Sequence, residues 1–110
     1  MVVIHVKNKG LCVFTACSHA GSVNVCLFVQ KLFPNIPIFL LMGGLHLGGV
    51  MEKMIPNTVE AFRSINIEKF ILGHCTGWRA LCEFSNAFGD KVSQSAVGTS
   101  YHFGETPKGQ

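Results

Sequence analysis

A chain of 110 residues is the size of one small domain, long enough to bury about two-thirds of its unfolded surface in a single core. Apolar residues make up 48% and charged residues only 14%, against roughly a quarter in an ordinary domain, which excludes disorder and points to a surface normally covered by something else. The net charge is +3 and the Lys and Arg residues are scattered, so nucleic acid is not expected as a partner.

In chain order, Val2 to Val6 reads as a short strand, Lys7 to Gly10 as a hairpin turn and Leu11 to Cys17 as a second strand. Gly21-Ser22 opens a helix over Val23 to Phe33, with Ser22 or Asn24 available as its cap. Pro34 and Pro37 end it, because proline cannot continue a helix. Ile38 to Met42 is an unbroken apolar run, the pattern of a strand buried on both faces. Gly43-Gly44 and Gly48-Gly49 make the next segment an irregular loop, and Pro56 to Thr58 starts a helix over Val59 to Ile65. Lys69 to Leu72 is a third buried strand, and Gly77 to Phe88 a third helix ended by Gly89. Val92 to Ala96 and Val97 to Phe103 are expected to close the sheet as a strand or a pair. The order β-β-α-β-α-β-α-β predicts one α/β unit over residues 1–103, with 104–110 as a flexible tail.

Cysteines stand at 12, 17, 26, 75 and 82, an odd count with no Cys-x-x-Cys pair, a pattern that suggests neither a disulfide framework nor a zinc ribbon. The amino terminus lacks the pattern of a signal peptide, and the apolar stretch from Val25 to Leu47 is too interrupted for a membrane span. A cytoplasmic, reducing location without a membrane partner is therefore expected.

The informative residues are His19, His46 and His74. Each follows a strand-like run and precedes a helix, and in an open α/β sheet the loops after the strands share the edge where ligands bind. Spacings of 27 and 28 residues bring the three to that edge, and neutral imidazole is the commonest protein ligand for zinc and also suits iron. A single such histidine is ordinarily a hydrogen-bonded loop residue; it is the repetition at equivalent places that points to a metal. His5 and His102 fall inside strands and read as structural or exposed. None of the six acidic residues adjoins a proposed ligand, although hydrolytic metal sites usually include a carboxylate. Cys17, Ser18 and Cys75 lie beside the histidines, which leaves two competing readings: Cys17 with His19 as ligands, or Cys75 as a histidine-activated nucleophile. Packing is the ordinary role of such cysteines. Trp78 and Arg79 begin the third helix, where Trp78 is expected to pack and Arg79 to be solvated, with a pocket wall as the alternative.

Thr15-Ala-Cys-Ser-His-Ala-Gly21, Gly43-Gly-Leu-His-Leu47, Gly73-His-Cys-Thr-Gly77 and Val97-Gly-Thr99 occur in order over nearly the whole chain. Together they resemble the later motifs of metallo-β-lactamase-fold metal-dependent hydrolases, in the branch of the dihydropterin ribofuranosylaminobenzene phosphate synthases. The resemblance implies the C-terminal half of an αββα sandwich, one mixed sheet with helices on its outer face. It implies that His19 completes a first metal site and His74 a second, with His46 where many members place a bridging aspartate. One or two Zn2+ ions, alternatively Fe or Mn, would activate water against an ester or phosphoester of a small-molecule substrate. The His-x-His-x-Asp-His cluster of the family's N-terminal half has no counterpart in the sequence. The resemblance therefore implies a truncated domain, inactive by itself, whose inner sheet face is covered by a second copy or by a separate chain carrying the other half. The alternative is a non-catalytic relative that acts in association or weak metal binding.

Overall fold

The structure, a computed structural model, describes residues 1–105. It contains strands β1 (Val2–Val6), β2 (Gly10–Thr15), β3 (Ile38–Gly43), β4 (Lys69–Leu72) and β5 (Val92–Gln94), and helices α1 (Ser22–Leu32), α2 (Ile55–Ile65) and α3 (Trp78–Phe88). The strands form one mixed sheet in the order β1-β2-β3-β4-β5. The β1-β2 hairpin is antiparallel, and β2 through β5 run parallel. Each parallel step needs a crossover, which α1, α2 and α3 supply in turn. Right-handed crossovers that all advance the same way place their helices on one face of the sheet.

That face holds the main core. Leu11 and Val13 of β2, Leu41 of β3, and Phe70 and Leu72 of β4 meet Cys26 and Val29 of α1, Val59 and Phe62 of α2, and Ala80 and Phe84 of α3. Phe62, Phe70 and Phe84 pack edge to face with ring centroids 5.5 to 5.8 Å apart, an arrangement that suits the opposed charge of ring face and edge. Cys26 is fully buried here, and desolvation pushes its thiol up to about 12, so it stays a protonated packing residue.

The opposite face is also apolar. Cys12, Leu40 and Ile71 form a second buried cluster with Val6, Phe14, Phe39, Met42, Tyr101 and Phe103 around it. Val2 and Ile4, at the β1 edge, remain 59% and 50% exposed. Among the described residues no helix is long and apolar enough to cross a membrane.

Two local expectations are corrected. Ser22 and Asn24 do not cap α1: Gly21 occupies that position at φ 97°, and the Asn24 side chain donates to the carbonyl of Ala20. The closing strand is only β5, and residues 95 to 105 contain no strand. The backbone turns at Gly98 (φ 86°), with the Thr99 amide donating to Ala96, so Tyr101 and Phe103 leave the sheet and fold over its second face. His102 consequently lies in a loop, its Nε2 3.2 Å from the Glu105 carbonyl, while His5 is exposed on β1 as expected. Part of the expected tail, residues 106–110, lies outside the described residues.

Phe84→Ala removes one ring of the aromatic triangle and should cost about 3–5 kcal/mol of stability, by the usual sum of lost burial and cavity. Denaturant unfolding checks this; a loss under about 1 kcal/mol would mean that the helix layer is not packed as described.

Candidate metal centre

The loops after β2, β3 and β4 meet at one edge of the sheet because their strands are parallel neighbours. Gly43 is the closest approach between them. It adopts φ 136°, and a Cβ there would sit 1.9 Å from the carbonyl oxygen of Thr15. Only glycine fits, and its neighbour Gly44 uses the space to donate from its amide to the carbonyl of Ala16 at 2.9 Å.

Two buried hydroxyls extend the stitching. Ser18 donates to the carbonyl of Gly44 at 2.7 Å, and the Thr15 hydroxyl, 2.9 Å away, completes Ser18 as the donor left over. Thr76, 2% exposed, accepts from the amide of Leu45 at 3.1 Å and donates to the carbonyl of Gly73 at 2.7 Å. The first hydroxyl ties the β2 loop to the β3 loop, and the second ties the β3 loop to the β4 loop. Each loop also carries one non-glycine residue in the left-handed region: Ser18 (φ 60°), His46 (φ 55°) and His74 (φ 54°). Such backbone costs on the order of 1 kcal/mol or more per residue and persists where surrounding bonds impose it.

The predicted ligands converge, though not as a single histidine triplet. His19 and His46 lie together, ring centroids 4.4 Å apart, with the Cys17 sulfur 3.5 Å from Nδ1 of His46. Donor atoms of Cys17, His19 and His46 all fall within 4.8 Å of one another, and so do those of Cys17, His74 and Cys75. Cys17 is therefore shared between two three-donor groups, and His74 joins through the cysteines rather than by direct approach to the other histidines. The Cys17 and Cys75 sulfurs stand 2.7 Å apart. Hydrogen bonding to Cys75 raises the Cys17 thiol above its ordinary value, and burial and repulsion from a Cys75 thiolate act in the same direction. Neither group includes a carboxylate.

A cleft of about 260 Å³ opens beside His19 and His46, with Leu45, Leu47, Met51 and Met54 on its apolar wall. Trp78 is not packed in the core: it is 68% exposed, because Gly77 (φ 85°) turns α3 outward at its start. Its ring faces the Arg79 guanidinium at 4.7 Å, and Arg79 pairs with Glu52 at 3.0 Å. Glu52, Trp78 and Arg79 line a separate cleft away from the histidines. The roles of Ser18 and Thr76 were missed in the sequence, although both lie inside the quoted motifs; a hydroxyl flanked by glycine in a strand-end loop is the signal that could have found Thr76.

No family model matches the chain. It is 29% identical over 98 residues to the 7,8-dihydropterin-6-methyl-4-(β-D-ribofuranosyl)-aminobenzene-5'-phosphate synthase of Methanocaldococcus jannaschii, covering 89% of this chain and 33% of that protein. It is 36% identical over 77 residues to an uncharacterized protein of the same organism, covering 70% of this chain and 28% of that one. The solved structure of Tm1679, a metal-dependent hydrolase of the beta-lactamase superfamily, superposes with a TM-score of 0.85 at 33% identity, over 94% of this chain and 40% of that one. The resemblance carried by the four motifs thus holds in sequence and in fold. The chain spans about a third of the curated relatives' length and two-fifths of the solved structure.

Thr76→Val leaves the Leu45 amide and the Gly73 carbonyl without this partner, and should cost about 1–3 kcal/mol while loosening the His46 loop. Thermal unfolding with amide exchange at Leu45 reads both effects. Unchanged stability and unchanged protection of Leu45 would contradict the stitching role.

Proposed function

We propose that this chain contributes the strand-end donors of a metal-dependent hydrolase acting on an ester or phosphoester of a small molecule. The observation that carries the reading is the convergence of His19, His46 and His74, with two cysteines, on the loop edge of a sheet that superposes on a metal-dependent hydrolase. The donors fit a divalent ion: they are imidazole and thiol groups, partly exposed and held by loops bonded to one another. Zinc is the ion this set favours, with iron next and manganese less suited.

His19 and His46 would hold the ion on the side of the apolar cleft, and His74 on the side of Cys75. When bound, the ion supplies Lewis acidity, polarising the substrate oxygen and making water a nucleophile near neutral pH. The Ser18 and Thr76 hydrogen bonds orient the donor loops. Leu45, Leu47, Met51 and Met54 exclude bulk water from one flank and offer surface to an apolar part of the substrate.

The carboxylates that such chemistry uses would come from beyond this one copy of the chain, since neither donor group includes one. A second copy, or a polypeptide segment carrying the complementary sheet, would supply them by seating on the face that bears Val2, Ile4, Phe14 and Phe39. A cytoplasmic, reducing setting suits a chain with five free thiols. The lack of a carboxylate in either donor group favours a second reading, in which the chain binds metal without turnover.

The test is a panel of aryl esters, phosphoesters and lactones, with and without chelator, on protein isolated from its own cells so that any completing segment is present. Metal-dependent hydrolysis is expected, falling at least roughly 100-fold in His19→Ala and His74→Ala. Turnover unchanged in both variants would contradict the assignment, and bound metal without turnover would favour the second reading.

A further inference from the structure

The hydrolase reading assigns the ion's two sides to the histidines and counts the cysteines as neighbouring donors without giving either an individual role. Five cysteines occur in the chain, and the structure separates them by environment. Cys12 and Cys26 are buried within apolar clusters, and Cys82 is exposed on α3. Cys17 and Cys75 alone are half-buried with their sulfurs facing each other, 2.7 Å apart across 58 residues of sequence. Their surroundings are donors rather than packing partners. Cys17 lies 3.5 Å from Nδ1 of His46, and the two donor groups that share it take in His19, His74 and Cys75. Gly44 makes the space for this pair, since a Cβ there would lie 2.8 Å from the Cys75 sulfur and 3.1 Å from Cβ of His74.

We propose that Cys17 and Cys75 are themselves metal ligands, so that the chain carries a mixed thiolate–imidazole site for one thiophilic divalent ion of the zinc class. Cys17, Cys75 and His74, whose donor atoms lie within 4.8 Å of one another, supply two sulfurs and one imidazole, with His46 next to Cys17 at 3.5 Å. The proposal rests on the reading of this edge as a metal site and specifies its donors. Binding is a proton exchange without redox: the divalent ion takes two thiolates, and the two thiol protons go to solvent.

Two physical points support the assignment. Sulfur is the softest donor in the chain, and a set of thiolate and imidazole without carboxylate selects zinc or ferrous iron over manganese or magnesium. Two thiolates on one tetrahedral ion stand roughly 3.5–4 Å apart, given metal–sulfur bonds of about 2.3 Å, so the pair needs to open by only about 1 Å.

The experiment is cobalt substitution of the reduced chain under anaerobic conditions, followed by absorption spectroscopy and competition with Zn2+ and Mn2+. The expected result is a near-ultraviolet thiolate-to-cobalt charge-transfer band together with visible bands of a tetrahedral ion. Cys17→Ser and Cys75→Ser should each weaken that band and lower Zn2+ affinity at least roughly tenfold, with Mn2+ binding little changed. Visible bands without the charge-transfer band in the unsubstituted chain would overturn the proposal and leave a histidine-only site standing. No cobalt uptake at all would remove both readings of this edge. Because the band is read on the unsubstituted chain, failure of a variant to fold leaves the test intact. A chain whose Cys17 and Cys75 persist as a disulfide under reductant, with no band, would likewise overturn it.

Discussion

The passage of Gly43 over the carbonyl of Thr15 is the constraint on which the rest of the site depends. A side chain of any size is excluded there, since even a Cβ would lie 1.9 Å from that oxygen. The close approach lets β2 and β3 remain paired to their last residues, Thr15 opposite Gly43, so that both loops leave the sheet at the same level. The β4 loop leaves there too, because Gly43 also pairs with Leu72 and its carbonyl accepts from the Gly73 amide at 3.1 Å. Three loops thus start from one line. Ser18 and Thr76 then bond them laterally with hydroxyls too buried for water to replace cheaply.

The core makes that edge possible. Left-handed backbone at Ser18, His46 and His74 is locally unfavourable, and the burial of Leu45 and Leu47 on either side of His46 offsets it only within the β3 loop. The wider support comes from β2, β3 and β4, whose inward residues are almost all inaccessible, and from the aromatic triangle that anchors α2 and α3 to β4. The stable layer lies on one side of the sheet and the donor groups at its end. The opposite face is partly covered by Tyr101 and Phe103 and is still apolar at Val2 and Ile4, in keeping with the low charge of the chain.

Much of this was legible in the residues. The four principal strands and all three helices fall within a few residues of where apolar runs, proline and glycine put them. His19, His46 and His74 stand on the expected edge because their place after parallel strands is a matter of topology. What the sequence did not disclose is how donors from different loops meet. That His74 reaches the group through Cys75 and Cys17 depends on loop conformation, which no hydrophobic period encodes. The Val97 to Phe103 segment alternates like a strand, yet Gly98 turns it out of the sheet, so tertiary contacts with Leu40 and Ile71 override the local pattern. Trp78 was expected to pack as the first residue of the third helix, but the Gly77 turn leaves it exposed, facing Arg79 on the wall of a cleft.

The central claim is that these strand-end loops form a metal site. The most direct measurement is the metal content of the freshly purified, untagged chain by mass spectrometry, without chelator at any step. The account predicts about one zinc or iron ion per chain, because the two donor groups share Cys17. No bound metal, even after incubation with excess zinc, would contradict it.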